Sequence, residues 1–92
     1  MKHNMYTVRD SKAEAFFQPF FSPNEDTATR ALAIEMAQPN SNLAANPQDY
    51  DLFHIGEFDD ITGKCIALDT PDHIVSCIHL MPNSKTNLKE VS

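Results

Sequence analysis

Between Asp51 and Phe58, "DLFHIGEF", the side chains divide into two rows. Strict alternation sends Leu52, His54, Gly56 and Phe58 one way and Phe53, Ile55 and Glu57 the other. Both rows begin apolar, which predicts a central strand covered on both faces at its start. Gly56 marks a bulge or a close backbone approach. "DDITGK" then supplies a hairpin turn, opened by Asp60, with Gly63 at the positive-φ position. Cys65 to Leu68 returns as the partner strand, with Ile66 and Leu68 on one face. An earlier strand is expected over Met5 to Arg9.

A helical period occurs in one place. Ala28, Leu32 and Met36 recur at i, i+4 and i+8, and Ala31 and Ile34 broaden their face. The spacing predicts a helix from Pro23 to Ala37. Ser22 is read as its N-cap, Pro23 as N1 and Glu25 as N3 of a capping box. Glu35 falls inside the apolar arc by angle and is read as a rim residue, while Arg30 lies on the far face. Pro39 stops the helix, and "QPNSNLAANPQDY" follows as a loop that Leu43 pins to the core.

Two segments are harder to place. "SKAEAFFQPFFSP" holds Phe16, Phe17, Phe20 and Phe21, with Pro19 barring an ordinary helix. It reads as a loop whose rings either cover the edge of a small core or form a base-stacking or docking surface. "TPDHIVSCIHLMP" carries a helix-start signal, but its β-branched residues favour a fourth strand, with Ile74, Ile78 and Leu80 on one face. Residues 82–92 read as a disordered polar tail. The predicted fold is α+β over residues 1–81: a short antiparallel sheet of strand, capped helix, β-hairpin and fourth strand, with one main helix.

Composition narrows the chemistry. The chain has 92 residues, and seven Lys and Arg face thirteen Asp and Glu, for a net charge of −6. That balance opposes non-specific attraction to nucleic acid or anionic membrane. Two glycines leave no phosphate-cradling loop. No apolar run approaches the roughly 18 residues of a membrane span. "MKHNMYTVRD" has no signal-peptide segment, so Cys65 and Cys77 are expected as reduced thiols in the compartment of synthesis. Cys65, His73, Cys77 and His79 can ligate metal, but their spacing matches no zinc motif. Neither metal nor other cofactor is expected, and no catalytic residues are assigned. Asp59 and Asp60 would splay to opposite faces of a continuing strand, which is poor geometry for a shared ion.

Three stretches carry a family resemblance: "YTVRDSKAEAFFQPFF", "DTATRALA" and "NPQDYDLFHIGEFDDITGK". Together they resemble the small nonstructural protein of the gokushovirus branch of the microviruses, single-stranded DNA bacteriophages. The matching positions of the last stretch are Pro47, Asp49, Tyr50, Leu52, Phe53, Ile55, Gly56, Phe58, Asp59, Thr62 and Gly63. The resemblance covers roughly residues 5 to 70. It implies a DNA-binding accessory factor in the cytoplasm of the infected bacterial host. Such a factor acts at the switch from double-stranded replication to single-stranded synthesis and packaging. Candidate nucleic-acid contacts are Arg9, Lys12, Arg30, Tyr6, Phe16 and Phe17, facing viral single-stranded or replicative DNA. The charge favours an alternative, a regulator that binds the viral replication initiator, host replication proteins or the procapsid through Glu57, Asp59 and Asp60.

Overall fold

A computed structural model describes residues 1–81, so the expected tail at 82–92 lies outside the described residues. Its centre is the pairing of β1 (Lys2–Asp10) with β4 (Tyr50–Asp59), antiparallel from Lys2 opposite Asp59 to Asp10 opposite Tyr50. The other edge of β1 takes two short strands, β2 (Ala15–Phe16) and β3 (Phe20–Ser22). The far side of β4 takes β5 (Cys65–Ser76). This gives a five-stranded antiparallel sheet. With one main helix, α1 (Glu25–Met36), the fold is α+β as expected.

Tyr6, Val8, Tyr50 and Leu52 face the helix and join Ala28, Leu32, Met36, Leu43 and Cys77 in one core. Their common side follows from register: Tyr6 lies opposite His54, Val8 opposite Leu52 and Asp10 opposite Tyr50. Ala28, Leu32 and Met36 are the buried residues of α1. Burying a side chain the size of leucine or methionine contributes roughly 1.5–3 kcal/mol. Ala31 and Ile34 do not broaden this face; Ile34 is 59% exposed. The partly buried flank is Thr29 and Ala33 instead, and Glu35 is exposed. Leu43 is buried on a short helix, α2 (Asn42–Ala45), within the segment expected as loop.

Three local expectations are corrected. The N-cap of α1 is Asn24, whose Oδ1 accepts the Thr27 N–H at 2.9 Å. Ser22 pairs instead with Asn4 at the end of β3, so its backbone belongs to the sheet. The aromatic segment, expected as a loop throughout, carries two short strands, because Pro19 falls between β2 and β3 and leaves both ladders intact. The two strands expected after Gly63 are one, β5, running to Ser76. Ala67 opposes Gly56 and Asp72 opposes His54, so Leu68–Pro71 bulge out opposite Ile55 alone. Cys77–Leu80 then forms a 3₁₀ turn that buries Cys77.

Glycine is required at two places for different reasons. A Cβ on Gly56 would collide with the Ile66 carbonyl oxygen and lie 3.1 Å from Ala67 Cα. Gly63 has open space around it but a φ of +76°. There the turn closes through Gly63 N–H to Asp59 O at 2.8 Å and Asp59 N–H to Lys64 O at 2.9 Å.

Candidate functional site

The side of the sheet away from α1 has no helix over it. Alternation places His3, Met5, Thr7 and Arg9 of β1 there, with their cross-strand partners. Met5 and Thr7 are buried in the middle of this face. Thr7 is fixed by its hydroxyl, which donates to Phe17 O at 2.7 Å. Aromatic side chains gather at either end.

One end is a row across the four strands β2, β1, β4 and β5. Phe16 lies opposite Arg9, and Phe53 lies opposite Thr7 and His73. The rings of Phe16 and Phe53 meet edge to face at 5.6 Å, and those of Phe53 and His73 at 5.3 Å. Arg9 Cζ stands 5.8 Å from the Phe16 centroid, within cation–π range. His73 Nε2 is 3.0 Å from Asp51 Oδ1, a carboxylate opposite Arg9 in the ladder. Phe16 remains 45% exposed. The arrangement offers flat π-faces with a guanidinium beside them.

The sequence candidates divide across the molecule. Arg9 and Phe16 meet in this row. Lys12 is exposed on the tight turn joining β1 to β2, where Asp10 Oδ1 accepts its N–H. Tyr6 is not open to a base: it is 2% exposed, on the helix side, with its ring 5.0 Å from His54. Burial, with the charge of Glu25, pushes its hydroxyl above the usual phenolic pKa. Phe17 also points to the helix side, 5.8 Å from Tyr50. There it lines a cleft of about 590 Å³ with Val8, Phe20, Leu32, Glu35 and Leu43. Arg30 is exposed on α1, across the sheet from Arg9. Phe53 and His73 were missed, because only the register of β4 and β5 brings them beside Phe16.

The acidic candidates are partly committed. Glu57 is half-buried between Asn4 and Ile66. Asp59 Oδ1 accepts the Ile61 N–H, which holds its carboxyl below the usual range. Asp60 accepts the Met1 ammonium at 2.7 Å and lies 2.8 Å from His3 Nε2. Those two contacts, the ammonium first, depress its pKa. Among the described residues no three His, Cys, Asp or Glu side chains converge as a metal site. Cys65 is exposed at the start of β5, while burial pushes the Cys77 thiol up to about 11. No helix among the described residues is long and apolar enough to cross a membrane.

These features define a small α+β protein with one helix-covered sheet face and one open, aromatic face. The chain belongs to the Phage ORF5 protein family, whose model matches residues 3–80. No curated protein and no solved structure matches it.

Proposed function

We propose that this phage protein is a non-catalytic accessory factor that binds single-stranded DNA on the open sheet face. Its place is the switch to single-stranded synthesis and packaging, in the cytoplasm of the infected bacterial host. The observation that carries this reading is the row Phe16–Phe53–His73, exposed at Phe16 and His73 and half-buried at Phe53, with Arg9 against Phe16. Base stacking on an aromatic side chain contributes roughly 1–3 kcal/mol per base and tolerates any sequence. The resemblance to gokushovirus nonstructural proteins supports the replication role.

Stacking must outweigh electrostatics here, because the net charge is −6. Two or three phosphate contacts, from Arg9, Lys12 and one more group, give a log K against log salt slope of about 1.4–2.1 in magnitude. Fluorescence anisotropy with a labelled ten-residue oligothymidylate at about 0.15 M salt tests the reading. Phe53→Ala and Arg9→Glu are expected to abolish binding, whereas Arg30→Glu, on the far side, leaves it in place. Wild-type protein that shows no affinity for the oligonucleotide refutes the reading.

The same negative charge favours a second reading, in which the protein regulates replication or packaging through protein contacts alone. Its partner is then a basic surface on the replication initiator, a host replication protein or the procapsid, met by Glu57, Asp59 and Asp60. Lysine at positions 59 and 60 would break that complex.

A further inference from the structure

The open face carries a second aromatic cluster at its other end. Phe21 and Phe58 rings lie 5.7 Å apart, and His3 stands 6.4 Å from Phe21 and 6.3 Å from Phe58. Phe21 pairs with Met5 and Phe58 with His3, so all three share the face of Arg9 and Phe16. Phe21 is 57% exposed. The core has no use for these rings, because α1 packs on the opposite side.

We infer that this cluster is a second base-stacking subsite, and that one single strand runs along β1 across both. The inference rests on the reading of the first row as a single-strand site. Arg9 and His3 are six residues apart on one strand, which at about 3.3 Å per residue separates the clusters by about 20 Å. A strand stacked at roughly 3.4 Å per nucleotide covers that distance in about six nucleotides. Small single-strand binding folds occupy about 4–16. The buried Met5 and Thr7 between the clusters offer no ring, so protein rings hold bases at the two ends and the bases between them stack on one another across the middle. The charges give the strand only a weak hold: Arg9 stands at one cluster, and at the other Asp60 takes up the Met1 ammonium and contacts His3. Asp51 beside His73 keeps the first end from being strongly cationic, so the rings must supply most of the grip.

The test compares four- and ten-residue oligothymidylates by anisotropy on the full chain. A four-residue strand reaches one subsite and a ten-residue strand reaches both. Phe21→Ala and, separately, Phe58→Leu, which keeps the apolar bulk, are expected to weaken the ten-residue complex about fivefold or more. Both leave the four-residue complex within twofold of wild type, because the first row still serves it. Melting curves confirm that both variants are folded. Equal weakening at both lengths, or no weakening at either, overturns the two-subsite inference while leaving the first row standing. Failure of the wild-type protein to bind either length overturns both.

Discussion

Replacing Gly56 with alanine tests the sheet where β5 comes closest to β4. The added methyl would occupy the place of the Ile66 carbonyl oxygen, with Ala67 Cα at 3.1 Å. Neither neighbour is a flexible side-chain end, so the ladder itself must move. Overpacking of this kind costs about 1–3 kcal/mol, and a backbone obstacle places it toward the upper end. Alanine also stiffens the unfolded chain, which returns about 0.4–1 kcal/mol. The collision wins, and the net loss is about 1–2 kcal/mol. For a domain of this size each kcal/mol lowers Tm by about 4–8 °C, so a fall of roughly 5–15 °C is expected in thermal circular dichroism. Gly63 is the control, since nothing lies within 4 Å of its Cβ position and its φ is +76°. Alanine there costs about 1–2 kcal/mol through the left-handed backbone alone, and asparagine, which tolerates that conformation, recovers most of it. Asparagine at position 56 recovers nothing. A Gly56→Ala protein that melts at or above wild type, with an unchanged urea m-value, would refute the reasoning.

Two further outcomes follow from the local contacts. Asn24→Ala should lower stability by about 1 kcal/mol in urea denaturation, and Ser22→Ala by less, reversing the order expected if Ser22 were the cap. The Asp60 carboxyl is depressed in the folded state by the Met1 ammonium and His3. Its stabilisation is therefore present above the unfolded carboxylate pKa of about 3.9 and fades as pH falls through the lower folded value. Asp60→Asn should melt below wild type at pH 6, with the gap closing in acid; a gap that persists unchanged at pH 2 assigns the contact no such role.

Much of the fold could be read from local pattern, but the open face could not. Ala28, Leu32 and Met36 declared the helix face because a 3.6-residue period needs no knowledge of the partner. The cap was misread because "SPNE" overlaps two signals, Ser22 with Glu25 and Asn24 with Thr27, and only the pairing of Ser22 with Asn4 separates them. Thr70, Pro71 and Asp72 read as the start of a separate element, whereas the ladder resumes at Asp72 after a bulge over Leu68–Pro71. For the site, Arg9 and Phe16 were visible, but Phe53 and His73 become their neighbours only through register. Tyr6 could have been excluded from the start. It stands three residues from Arg9 on one strand, so the two must point to opposite faces.

The bulge at Leu68–Pro71 also shapes how copies of the chain meet one another. β5 is the outer strand of the sheet, twelve residues long, and a straight strand of that length would present a row of free amides and carbonyls to any neighbour. Such an edge is a template for sheet growth between molecules and for amyloid-like stacking. Here the row is cut into Cys65–Ala67 and Asp72–Ser76, and Pro71 has no N–H to offer between them. Asp69 and Asp72 add charge beside the cut. Neither remaining piece is the flat, six- or seven-residue uncharged segment that seeds a zipper. The irregularity that disguised β5 as two strands thus makes the edge of the sheet a poor template for polymerisation.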